Sequence, residues 1–136
     1  MCLEATRKDT RVVSKQLKEA GGTITCWKVM QRCERAKVGV YGGIYNYDWK
    51  RGENTSASDR MMPIQKATRI EHGFHVHLTR DSAKQWARFW NFSPWRIVPI
   101  ECHLKDFIGA DATQAVFRKV TITAKAWKIL QRLRRL

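Results

Sequence analysis

HGFHVHLTRDSAKQWARFW, residues 72–90, changes its hydrophobic period halfway along, and that change decides the fold class. From His72 to Leu78 the residues alternate as in a strand. Phe74, Val76 and Leu78 fall on one face, His75 and His77 on the other. Beyond Thr79 the spacing becomes helical: Ala83, Trp86, Ala87 and Trp90 form one apolar stripe. Thr79 is placed to cap that helix, and Asp81 suits its first turn, where the helix dipole favours an acid. The turn NFSPW then leads into WRIVPIECHL, another strand, in which Pro99 points to an edge or a bulge. Strand, helix and strand in succession make one βαβ-like stretch within an α+β domain.

Towards the N-terminus, TITCWKVM (residues 23–30) reads as a strand. Ile24, Cys26 and Lys28 lie on one side and Trp27 and Val29 on the other, so both faces are expected to be partly covered. A helix from Asp9 or Thr10 precedes it, with Val13, Leu17 and Ala20 inward and Gly21-Gly22 as its stop. Residues 1–9 are expected to fray. In VGVYGGIYNYDW (residues 38–49), Tyr45, Tyr47 and Trp49 alternate as a strand entered through a tight turn. Residues 50–60, KRGENTSASDR, read as a mobile loop.

Towards the C-terminus, Phe107 and Ile108 close a short element, and AVFRKVTIT (residues 115–123) reads as the last strand. Residues 124–136 form a basic helix that docks through Trp127, Leu130 and Leu133. The expectation is one domain over residues 1–136, with about five strands in a mixed or mostly antiparallel sheet and about three helices.

Charge indicates the class of partner. The chain carries 26 Lys and Arg against 12 Asp and Glu, a formal net charge of +14. From Arg118 onward there are seven basic residues and no acid. Lys125, Lys128, Arg132 and Arg135 recur on one broad helical face, which suits a polyanion. The expected contacts are Arg118, Lys119, Lys125, Lys128, Arg132, Arg134 and Arg135, joined by Lys50 and Arg51. Tyr45, Tyr47 and Trp49 are secondary candidates for stacking on bases. The partner is expected to be a nucleic acid or an acidic or nucleoprotein complex of a host cell.

Other chemistries find little support in the sequence. It holds neither a GxSxG nucleophile motif nor a GxxxxGK[ST] phosphate loop. His75 and His77, with Cys102 and His103 nearby, are the one metal suspect, but no recognised ligand spacing accompanies them, and no metal or cofactor is expected. Cys2, Cys26, Cys33 and Cys102 form no CxxC and read as reduced thiols in a cytoplasmic protein. Neither a membrane-spanning run, nor a signal peptide, nor a myristoylation glycine is evident, so no membrane partner is expected.

The order ITCWKVM, aromatic Gly segment, HGFHVHLTRDSAKQWARF, WRIVPIECHLKDFIGAD and AVFRKVTI resembles small phage and prophage proteins over roughly residues 22–123. That resemblance implies a mobile-element origin. With small size and positive charge, it implies a non-enzymatic protein acting by occupancy, of the anti-defence or anti-CRISPR kind. A second resemblance is to minimal ADP-ribosyltransferase-like domains, carried by GFHVHLTR, Ala83 and Ala87, WRIVPIE and Asp111. It implies the alternative of an NAD-using transferase with Glu101 as its candidate acid, although the first strand reads CWKVM where that family has a His-Gly-Thr pattern.

Overall fold

The structure, a computed structural model, describes residues 3–32, 40–41, 49–56, 61–64, 67–70, 73–88 and 95–135. Among them the chain forms β1 (Leu3–Thr6), α1 (Arg7–Glu19), β2 (Thr23–Arg32), β3 (Val40–Tyr41), β4 (Gly52–Thr55), β5 (Met61–Ile64), β6 (Ala67–Ile70) and β7 (Phe74–His77). These are followed by α2 (Arg80–Ala87), β8 (Trp95–His103), a short 3-10 turn (Leu104–Asp106), β9 (Phe107–Ala110), β10 (Gln114–Phe117), β11 (Lys119–Ile122) and α3 (Ala124–Arg134). The class is α+β with three helices, as expected. The sheet is larger than expected and its paired strands are all antiparallel.

The main sheet runs β4-β11-β8-β2-β7-β10-β9, with β3 pairing the far end of β2. The βαβ-like stretch is real but split. β7 and β8 both pair antiparallel with β2, on its two edges, so they run parallel to one another while α2 crosses over β2. Thr79 caps α2 by accepting from the Ser82 amide at 3.1 Å. Trp90 and the NFSP turn lie outside the described residues.

AVFRKVTIT is two strands, not one. β10 and β11 are joined by Arg118 alone, yet β8, β2 and β7 stand between them in the sheet. Four strand spacings across a flat sheet would separate them by about 19 Å. Two residues of chain reach at most about 7 Å. The sheet must therefore curl until its two halves meet at Arg118. The bend is fastened on both sides: the Arg118 amide donates to the Asp106 carbonyl at 2.8 Å, and the Ser56 amide donates to the Arg118 carbonyl at 2.9 Å.

One core fills the curl. Cys26 and Met30 of β2, Phe74 and Val76 of β7, Val98, Ile100 and Cys102 of β8, Phe117 of β10 and Val120 and Ile122 of β11 share it with Trp49. Val13 and Leu17 of α1 and Ala126, Leu130 and Leu133 of α3 dock into the same cluster. On the other face α2 lays Ala83 and Ala87 against Val29, flanked by the partly buried Trp27, Trp86, Trp95 and Ile97. Both faces of β2 are thus covered, as its mixed pattern implied.

Several local expectations are corrected. Residues 3–9 do not fray. Leu3 and Ala5 are buried, β1 joins a second sheet of order β1-β6-β5, and α1 begins at Arg7 with Thr6 accepting from the Asp9 amide at 3.0 Å. Thr10, expected to start the helix, instead pins it to the sheet edge: its hydroxyl accepts from the Ala110 amide at 3.1 Å. Within residues 50–60, Gly52–Thr55 is strand β4, paired with β11.

Pro99 lies in an interior strand, not at an edge. The Leu104 amide donates to the Gly22 carbonyl at 2.8 Å, which sets the alternation of bonded pairs along β2 and β8. The Trp27–Pro99 pair is then non-bonded, and the proline nitrogen points away from β2, past the end of β11 at Ile122.

Gly73 is where β7 presses on β10. Its φ is +107°, and a Cβ there would meet Val116 Cγ1 at 2.6 Å. Gly73→Ala should destabilise the fold by about 2 kcal/mol or more, because strain and a core clash combine. Gly52→Ala, at a φ of +88° but in open space, should cost about 1 kcal/mol. Urea denaturation of the two variants checks the order.

Candidate nucleic-acid interface

The basic C-terminal helix forms as expected. Thr123 caps it, accepting from the Ala126 amide at 3.2 Å. Ala126, Leu130 and Leu133 are buried, with Trp127 and Ile129 packed at their margin. A helix anchored on one side must turn the rest of its circumference outward. Lys125, Lys128, Arg132 and Arg135 are accordingly exposed, at 1.5 Å of rise per residue along one face. Among the described residues none of these four is paired with a carboxylate. The last-turn cations also suit the negative end of the helix dipole, whereas Lys125 in the first turn does not.

Register decides which other candidates join them. Gly52 of β4 lies opposite Ile122, the residue before the α3 cap, so Lys50 and Arg51 approach the start of the helix. Both are exposed. Buried Asn54 holds their turn: its side chain accepts from the Lys50 amide at 2.9 Å and donates to the Lys50 carbonyl at 2.8 Å. Lys119 is directed elsewhere. It alternates with the inward Val120 and Ile122, and its ammonium meets Glu53 at 3.1 Å. Arg118 is at the bend, at the other end of β11 from α3. The Arg134 side chain, Tyr45 and Tyr47 lie outside the described residues.

Trp49 is corrected as a stacking candidate. Its ring is 2% exposed and leans on Phe74 with centroids 5.1 Å apart. It cannot offer a face to a base.

A cationic surface that the sequence reading passed over is α1. It carries Arg7, Lys8, Arg11, Lys15 and Lys18, all exposed, against Asp9 and Glu19. Asp9 accepts from the Thr6 hydroxyl at 2.7 Å, and Glu19 approaches Lys15 at 3.9 Å. The signal was the spacing of these bases around the inward Val13 and Leu17, hidden by starting the helix too late.

Of the residues of the transferase alternative, the two acids, Glu101 and Asp111, lie on β8 and in the turn after β9. Glu101 Oε1 is 3.4 Å from His103 Nε2, and His103 Nδ1 is 3.0 Å from the Thr23 hydroxyl across the β2–β8 pair. Asp111 is committed to the β9–β10 turn, where its carboxylate accepts from the Thr113 and Gln114 amides at 2.9 and 2.7 Å.

Three titratable groups cluster where β2 and β7 part. The two strands pair at Trp27–His77, and β2 then continues to β3. In the gap the Lys28 ammonium donates to the His75 carbonyl at 2.7 Å, in place of a backbone donor. Burial lowers its pKa to about 8. His77, bonded to the Ser82 hydroxyl through Nδ1 at 2.9 Å, and His75, whose Nδ1 lies 3.2 Å from the Gly73 carbonyl, are both lowered to about 4. Burial is the main cause and Lys28 the next. Both imidazoles are therefore neutral at physiological pH. Among the described residues no group of three or more His, Cys, Asp or Glu is placed to hold a metal, and no helix is long and apolar enough to cross a membrane.

No family model, curated protein or solved structure matches the chain.

The buried bases set the pH dependence. Each binds fewer protons folded than unfolded, so stability rises with pH across the interval between its two pKa values. The histidines should give a rise from about pH 4 to 6.5, with loss on acidification through that range. Lys28 should give a second rise from about pH 8 to 10.5, of order 3 kcal/mol. Denaturation midpoints against pH check both limbs, and Lys28→Met should flatten the alkaline one.

Proposed function

We propose that the protein binds a nucleic acid, free or within a nucleic-acid-handling complex, through the outer face of α3 and the adjoining Lys50 and Arg51. The observation that carries this reading is the four exposed, unpaired cations on a helix whose other side is locked into the core. Like charges at i, i+3 and i+4 spacing repel one another, and a polyanion relieves that repulsion. The reading needs no catalytic group. Together with the resemblance to phage proteins, it fits action by occupancy, as in an anti-defence inhibitor.

The test separates charge from fold. In Lys125→Gln/Lys128→Gln/Arg132→Gln/Arg135→Gln the new residues still favour helix, and Ala126, Leu130 and Leu133 still dock. The melting temperature should stay within a few degrees or rise. Affinity for DNA or RNA should fall by at least about tenfold, because charge-assisted contacts are lost. A folded variant that binds with unchanged affinity would make the helix a solubilising surface only.

A further inference from the structure

We infer, building on that reading, that α3 binds the phosphate backbone of duplex nucleic acid without base recognition. The composition of the exposed face selects among the possible polyanions. Its described exposed residues are Ala124, Lys125, Lys128, Gln131, Arg132 and Arg135. Protein–protein contacts centre on Trp, Tyr and Arg anchors within an apolar patch and are depleted in lysine. The described exposed residues of this face include two arginines but no aromatic or large apolar side chain around them, and its other two cations are lysines. Among the described residues of the chain, the exposed large hydrophobic side chain is Val12, which belongs to α1. An acidic protein surface is therefore poorly matched.

Single-stranded nucleic acid is poorly matched for a related reason. Proteins that track single strands add stacked aromatics to their cations. Among the described side chains, Trp127 packs against the core and Trp49 is buried. Phosphates, by contrast, require only cations at suitable spacing. From Lys125 to Arg135 the helix rises about 15 Å. One strand of a duplex presents a charge every 3.4 Å or so, hence about four over that length. Four exposed cations face about four phosphates. A duplex carries twice the linear charge of a single strand and so attracts this face more strongly.

Fluorescence anisotropy tests the inference with labelled 20-base-pair DNA and RNA duplexes of unrelated sequence and with their single strands. Duplexes of one backbone type should bind within about threefold of one another, and each more tightly than its strands. The slope of log affinity against log salt should lie between about −3.6, for the four α3 cations at about 0.9 per neutralised phosphate, and about −5.4 with Lys50 and Arg51 added. Lys128→Gln should reduce its magnitude by about one. Strong discrimination between duplex sequences, or tighter binding of the single strands, would overturn the inference but leave nucleic-acid binding intact. Absence of binding to every probe would overturn both.

Discussion

One residue of chain, Arg118, connects two strands that stand on either side of three others in the sheet. The rest of the structure follows from that constraint. A flat sheet cannot accommodate the link, so β8–β9 and β10–β11 form one long hairpin bent where Asp106 and Arg118 bond. The bend closes the sheet around Phe117, Val120 and Ile122. It creates a deep apolar interior within a small chain, and α1 and α3 both bury their apolar edges there. The bend is thus the reason that a strongly basic helix can be held rigidly.

Charge is divided sharply between interior and surface. Away from the surface, buried His77 and partly buried His75 are kept neutral by burial, and Asn54 is satisfied by backbone partners. A hydrogen bond with the neighbouring Cys26 thiol, and burial next, push Cys102 far above the usual thiol range. Lys28 is the exception, a buried amine filling the gap between β2 and β7. On the surface the described residues of α3 present four bases and no acid. The same helix therefore satisfies two demands, apolar contact with the curl and an outward field for an anion.

The sequence showed the parts whose signals are local. Thr79, the alternation of Phe74 and Val76, and the inward Leu130 and Leu133 each depend on near neighbours, and each falls where expected. Long-range pairing was not legible in the same way. Leu3 and Ala5 alternate, but four residues cannot announce a partner more than sixty positions away. The Arg118 bend did leave a trace. Inward positions step by two through Ala115 and Phe117, then by three to Val120, so Arg118 and Lys119 break the period. The candidate site was legible as a helix face. That Lys50 and Arg51 would adjoin it, and that Lys119 would not, depended on the β4–β11 register.

The central claim is that the curl holds α3 with its cationic face free to meet an anion. Amide chemical-shift mapping during titration with a short DNA duplex tests it most directly. Shifts should concentrate on residues 124–135 and on Lys50 and Arg51, with α2 and the Trp27 face unchanged. Perturbation confined to α2, Trp27 and Trp95, with α3 silent, would contradict the account.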